Sequence, residues 1–429
     1  MISSHTSPDT PSRTSDKAKV ALSMATQVLR LVLGMATGVL LARALEPEGR
    51  GVYAVITTTG MTAIIIGHLS VPYSQIAFWK DGLLNRVLAA NGLLLGLVSG
   101  SVAAISALAL SPIILPEAPV LVAAALTVVP LGVIISNLRG ILLLQGQVNL
   151  VNRSNLISAL IQCVGMALLA VIGHVNIAAV IALWCVFTAA PLFLYVRALR
   201  PRLAHADRGL ALRQLGLSCR YHGGPIAVHL LITCDVFLLN AMVSPSETGL
   251  YTVAASVLAL AYVPADAITM VVLPRQASDD PTGSKSATAR ALWVTLLSSS
   301  ACVGLLAAAS PIMVPFVYGD AYAKSVTSIL LLAPGVVALS MVRLTEQYLV
   351  RLRRPLSMAG ICTGALIFNV ALNLFLIPRW GAAGAAVSST LSYGLLALTE
   401  FAWFRRTHRT SWRRATDEHK VETSRASGA

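Results

Sequence analysis

Seven ionisable side chains stand where such groups are costly. Arg30, Arg139, Arg343, Asp235, Asp266, Glu346 and Glu400 all fall inside long apolar runs of this 429-residue chain. At the centre of a bilayer each costs about 2.5 kcal/mol or more unless it faces a cavity or a partner. Two kinds of chemistry follow from the residue types. Arginine stays ionised when buried, and its planar fork binds phosphate oxygens in pairs. A buried carboxylate can take up a proton or a cation. Arg30 is the most informative of the set. Ser23, Gln27, Arg30, Gly34 and Thr37 recur at 4-3-4-3 spacing and share one helix face, a polar, small-residue stripe that reads as the lining of a cavity. The alternative is an arginine held by a carboxylate inside a bundle.

Arg139 and Arg343 lie nearer the ends of their runs, where snorkelling to the interface competes with a cavity role. Ser340, Arg343 and Gln347 share a face that favours a polar cavity, while Arg343 and Glu346 are i,i+3 neighbours that can pair. The candidate anion-binding set is therefore Arg30, Gln27, Arg139, Arg343 and Gln347. The candidate ion-coupling set is Asp235, Asp266 and Glu346. Asp235 points about a third of a turn away from the face shared by His222, His229 and Asn240, and could instead partner an arginine of another helix. Asp266 follows Pro264, whose missing N–H loosens a helix; the combination suits a hinge, with a structural pair as the equal alternative. Glu400 reads as interfacial, His68 and His174 as satisfied or interfacial, and Asn369 and Asn373 as an i,i+4 inter-helix hydrogen-bonding pair. No Walker motif, zinc spacing or nucleophile elbow occurs. The six cysteines form no CxxC motif and read as small hydrophobes. No catalytic residue, cofactor or metal ligand is expected.

The elements that position these groups follow from composition. The chain is 56% hydrophobic and 12% charged, about half the charge of a soluble domain. Spanning a membrane takes roughly 20 apolar residues. Twelve runs qualify, near 18–41, 51–73, 87–110, 119–144, 154–173, 175–199, 217–242, 249–274, 288–311, 323–350, 355–378 and 381–404. The class is an all-α polytopic membrane protein. Net charge is +14, yet its placement argues topology rather than nucleic-acid binding. With the N-terminus in the cytoplasm, 25 Lys and Arg fall on the cytoplasmic side and 4 outside. Both termini are then cytoplasmic, in a cell inner membrane. The outer loops are short, which leaves no platform for a glycosyltransferase or ligase.

A pattern occurs twice. Pro47, Gly51, Tyr53 and Val55 match Pro245, Gly249, Tyr251 and Val253 at an offset of 198. Ser136 and Arg139 match Ser340 and Arg343 at an offset of 204. The halves are a duplication of six helices each, parallel because six is even. Two lobes would face each other across a central cleft. The expected division is a disordered arm at 1–17, a first lobe at 18–199, a basic linker at 200–216, a second lobe at 217–404 and a basic tail at 405–429. The glycines and prolines of the twin pattern read as turn chemistry at the outer mouth.

At this point the chain resembles a known group. L-A-R-A-L-E-P-E-G-R-G-V-Y-A-V (41–55), D-V-F-L-L-N-A-M-V-S-P-S-E-T-G-L-Y (235–251), F-V-Y-G-D-A-Y (316–322) and N-L-F-L-I-P-R-W-G-A-A-G-A-A (373–386) resemble, in order, segments of the polysaccharide transporters. These are the O-antigen-flippase-like members of the multidrug/oligosaccharidyl-lipid/polysaccharide (MOP) exporter superfamily. The resemblance implies a MATE-like fold and a flippase that moves a polyprenyl-diphosphate-linked oligosaccharide from the inner to the outer leaflet. It implies partners in that glycolipid, in membrane lipids, and in a polysaccharide polymerase or glycosyltransferases of the same pathway. It names no catalytic residues; Arg30 is the best local match to the cationic cavity residues its members use. A cation-coupled MATE-like multidrug exporter and a lipid II flippase are the alternatives. Two helices typical of lipid II flippases are missing here.

Overall fold

A computed structural model describes residues 13–79, 83–276, 281–350 and 355–426, with side chains for all of these except 13–25, 83, 84, 273–276, 281, 282, 347, 350 and 407–426. The described residues are helical almost throughout, in ten apolar helices long enough to cross a membrane. Two of the ten are double. Thr26–Phe78 has 53 residues and Pro355–Arg406 has 52, each about 80 Å if straight, against a hydrocarbon core of about 30 Å. Each is broken once. Glu46 adopts φ 55°, ψ 177° in the first, and Gly381 adopts φ 52°, ψ −130° in the second. Positive φ suits glycine and is costly for glutamate.

Twelve crossings result. They are α1 (13–45), α2 (47–67, resumed at Val71–Phe78), α3 (Leu83–Ile114), α4 (Pro119–Leu126 and Val129–Leu144), α5 (Val148–Val171) and α6 (Ile177–Ala189 and Pro191–Leu199) in the first half. The second half has α7 (Arg208–Met242), α8 (Pro245–Leu258 and Tyr262–Gln276), α9 (Pro281–Tyr318), α10 (Ser325–Val350), α11 (355–380) and α12 (382–426). An even number of crossings puts both termini at one end of the molecule.

Local chemistry explains the ends. Asn176 caps α6 by accepting from Ala179 N at 2.9 Å, Asp207 caps α7 through Leu210 N at 3.0 Å, and Ser244 caps α8 through Glu247 N at 3.2 Å. Proline at the first helical positions of α4, α6 and α8 lacks an N–H that would be orphaned there anyway. The Asp207 cap starts α7 at Arg208, inside the stretch read from sequence as linker. The polar gap at 42–50 is likewise helical except at Glu46.

The interior is split. One large apolar core gathers Leu250, Tyr251, Leu339, Ile377 and Ala385 of the second half. Another gathers Tyr53, Ile56, Val129, Met166 and Trp184 of the first. Two cores make two lobes, as the duplication requires. Large apolar side chains such as Val102, Ile113, Leu305, Ile312 and Leu398 stay exposed on the outside, where lipid is their natural solvent.

Candidate functional site

The lobes meet at the end remote from the termini, through the twin pattern. A Cβ on Gly51 would run into the carbonyl of Pro245, and one on Gly249 into the carbonyl of Pro47. The two contacts are reciprocal, so the first turns of α2 and α8 lie backbone against backbone across a pseudo-twofold axis. Absence of side chains is what permits this approach. These glycines therefore do more than turn the chain, and they sit inside helices. Around them Arg43 Nε donates to the Val317 carbonyl at 2.7 Å and Nη2 to Phe316 at 2.5 Å, and Tyr322 Oη donates to the Ala42 carbonyl at 3.0 Å. Glu247 accepts from Ala382 N at 2.8 Å and so caps α12 beyond the Gly381 break. The far end is sealed.

Nearer the termini, α1 is largely exposed. Val28, Leu29, Val32 and Met35 are exposed on one face of that helix. Arg30 points about 170° away from their mean direction, at 100° per residue. It is nevertheless exposed and has no hydrogen bond or ion pair with the described residues. A Cβ on Gly34 or Gly38 would meet nothing within 4 Å. This stretch of α1 is exposed around most of its circumference. Of the stripe, Arg30 and Gly34 are exposed, Thr37 is buried and bonds back to the Leu33 carbonyl, the Ser23 side chain lies outside the described residues, and Gln27 Nε2 lies 3.6 Å from Met270 Sδ of α8.

The other arginines divide. Arg139 is exposed beside exposed Leu143 and carries no partner among the described residues. Arg343 is neutralised. Its Nη1 donates to Asp266 at 3.0 Å and its guanidinium stacks 4.2 Å over the Tyr262 ring. The pairing of Arg343 with Glu346 is thus replaced by a bridge from α10 to α8, because Asp266 lies across from it once both helices pack. Glu346 instead borders a small gap with Tyr73, Tyr221 and Met358 where the lobes approach near the termini. The Gln347 side chain lies outside the described residues. Glu400 is fully buried, not interfacial, and accepts from Thr345 Oγ1 at 2.5 Å, because α12 runs on well past it.

Asp235 is also fully buried, and no arginine meets it. Tyr251 Oη donates to Oδ2 at 2.5 Å, Asn373 Nδ2 donates to Oδ1 at 2.6 Å, and Ser389 Oγ donates to Oδ2. Asn373 Nδ2 also donates to Asn369 Oδ1 at 2.9 Å, while Asn373 Oδ1 is buried without a partner. Four helices, α7, α8, α11 and α12, thereby converge on one carboxyl group. The first lobe has no counterpart. The offset of 198 puts Thr37 where the second half has Asp235. The offset of 204 puts Gly165, Leu169 and Cys185 where it has Asn369, Asn373 and Ser389. Asn369 and Asn373 were legible as a hydrogen-bonding pair. Tyr251 and Ser389 were missed as ligands of Asp235, although Tyr251 belongs to the twin pattern. Among the described residues no group of three or more His, Cys, Asp or Glu could hold a metal ion.

A polar seam ties α2 to α7. His222 Nε2 donates to the Ile66 carbonyl at 3.0 Å, so its Nδ1, 3.0 Å from Ser70 Oγ, accepts from that hydroxyl. Ser70 N donates to His68 Nδ1 at 2.9 Å, Thr62 meets His229 at 2.9 Å, and Tyr73 stacks on Tyr221. The seam fixes the break in α2, where Leu69 and Ser70 both take positive φ. His174 closes only its own turn, 2.7 Å from the Ile172 carbonyl.

Two six-helix halves meet at the Gly51–Gly249 contact at one end and at the α2–α7 seam nearer the other. Solved structures show whose fold it is. The chain is similar to the lipid II flippase MurJ in its inward closed conformation, with TM-score 0.72 and 13% identity over 90% of this chain and 87% of that one. It is similar to an inward-facing MATE-family multidrug resistance transporter of the MOP superfamily, with TM-score 0.66 and 16% identity over 88% and 94%. A MOP-superfamily transporter from Pyrococcus furiosus matches with TM-score 0.60 and 14% identity over 90% and 93%. These proteins are transporters, not enzymes, and the fold is the MATE-like fold expected. No protein-family model matches the chain, and no curated protein matches its sequence.

Proposed function

We propose that the chain is a flippase of the MOP type. It moves a polyprenyl-diphosphate-linked oligosaccharide, a repeat unit of a cell-surface polysaccharide, from the inner to the outer leaflet by alternating access. One observation carries the reading: Arg30 is exposed on α1 with no hydrogen bond or ion pair to the described residues, while Arg343 is neutralised by Asp266. A guanidinium so placed suits a diphosphate and repels a cationic drug. The bias of 25 basic residues to 4 favours termini in the cytoplasm of an inner-membrane protein. In that orientation the Gly51–Gly249 contact closes the outer mouth, and the α2–α7 seam must open to admit the glycolipid from the leaflet where it is made. Arg139 is the second cationic candidate. Membrane lipids and the polymerase or glycosyltransferases of the pathway are its proposed partners.

Asp235 supplies the proposed coupling. A single carboxyl surrounded by Tyr251, Ser389, Asn369 and Asn373, with the Asn373 carbonyl unpartnered, is a nest for one proton or one monovalent cation. Its occupancy would reset contacts among four helices of one lobe. The nest is also what a cation-coupled multidrug exporter would use, so that reading remains the second one. Leaflet-resolved transport in liposomes tests the first. Wild-type protein should flip a labelled polyprenyl-diphosphate glycan, and Arg30→Ala should not. Cationic drug export that survives Arg30→Ala, without glycolipid flipping, would favour the second.

A further inference from the structure

The outside of the second lobe carries a groove that the proposed transport path does not use. It lies between α9, α10 and α12 and encloses about 520 Å³. Its walls are almost wholly apolar, with Leu292, Trp293 and Leu296 facing Leu398 and Phe401. Trp293 and Leu398 are exposed, so the groove opens sideways to lipid rather than into the protein. At the end nearer the termini its mouth carries two cations, Lys285 and Arg405. The Lys285 ammonium sits 5.0 Å from the centre of the Phe404 ring, and Arg405 is near enough for the two charges to repel. Neither forms an ion pair with the described residues. The nearest acid on these walls, Glu400, is fully buried behind them and is held by Thr345.

Length decides the occupant. From Lys285 to Leu296 the groove follows α9 for about 16 Å at 1.5 Å per residue. One leaflet is about 15 Å of hydrocarbon. An apolar slot one leaflet deep, with two cations at its polar end that form no ion pair with the described residues, matches a phospholipid with an anionic headgroup. The acyl chain fills the slot and the phosphate sits between Lys285 and Arg405. A polyprenyl chain, much longer than a leaflet, would overrun it. We propose that this groove binds one anionic phospholipid, in the leaflet on the side of the termini, and that the lipid braces α9 and α10 against α12. The proposal does not depend on the transported substrate.

Native mass spectrometry of the full chain in detergent tests it, with phosphatidylglycerol and phosphatidylcholine of equal acyl length as probes. The wild type should retain one phosphatidylglycerol in preference to phosphatidylcholine. Lys285→Ala with Arg405→Ala should lower that retention about tenfold, since each surface cation contributes measurably to anionic-lipid attraction. Ala397→Trp, which fills the slot and leaves both cations, should lower retention of either lipid and covers the case in which the double variant fails to fold. Equal retention of the two lipids, unchanged retention by Ala397→Trp, or displacement by a polyprenyl phosphate in preference to phosphatidylglycerol would overturn the proposal.

Discussion

At the scale of residues, the account turns on two charges with opposite surroundings. Arg30 is exposed and has no hydrogen bond or ion pair with the described residues, so its loss should leave the fold intact and, in the account proposed, remove binding energy. An arginine–phosphate hydrogen bond is worth about 1.5–3 kcal/mol, a factor of roughly 10–100 in affinity. Arg30→Ala should therefore weaken glycolipid binding by that order at unchanged melting temperature, measured by titration in nanodiscs, and Arg30→Lys should recover part of it. Asp235 is the reverse case. Replacing it with alanine strands the buried donors of Tyr251, Asn373 and Ser389, each at about 1–3 kcal/mol. Asp235→Ala should therefore melt several degrees lower than wild type, whereas Asp235→Asn, which keeps the shape, should melt closer to it and lose any ion dependence of transport. Parallel melting curves with transport assays at varied sodium and proton gradients check both halves. The Arg30 stripe could be proposed from sequence because its members lie within about four turns of one helix. The Asp235 nest was not, because its partners lie 16, 138 and 154 residues away, and no helical period connects them.

At the scale of elements, the account proposed makes the seal and the seam the two ends of a rocker. At the far end, Gly51 and Gly249 let α2 and α8 touch backbone to backbone. Gly51→Leu cannot fit without separating the helices, and such overpacking costs about 1–3 kcal/mol or more. That variant should favour the state open at the far end, with greater labelling of a nearby single cysteine by a membrane-impermeant maleimide. Unchanged labelling would remove the seal from the mechanism. At the other end, Ser70→Ala breaks the hydrogen bond to His222 that holds the α2 break, at a cost of about 1 kcal/mol. It should speed hydrogen exchange around Leu69 without unfolding α7. Helix existence and order were readable from apolar length alone. Ends were not, since Asp207 starts α7 earlier than hydropathy implies and Glu46 bends α1 into α2 without a loop. The twin pattern was recognised as a repeat marker, but its glycines serve a contact between lobes that a single half cannot reveal.

At the scale of the whole molecule, duplication gives symmetry and function breaks it. Both lobes keep the tyrosine of the twin pattern buried, Tyr53 in one and Tyr251 in the other. Only the second surrounds its tyrosine with Asp235 and two asparagines. In the first half, Arg30 is exposed with no hydrogen bond or ion pair to the described residues. In the account proposed, substrate is held from the first lobe and the driving ion from the second, and rocking about the α2–α8 contact links them. In the account proposed, the basic excess places both termini in the cytoplasm, so both should react in permeabilised but not intact cells when tagged. The measurement that bears most directly on the central claim is leaflet-resolved transport of a labelled polyprenyl-diphosphate oligosaccharide in liposomes containing wild type or Arg30→Ala. The account predicts time-dependent loss of label from the loaded leaflet with wild type and at least tenfold slower loss with the variant. Equal rates for the two proteins at equal insertion would contradict it.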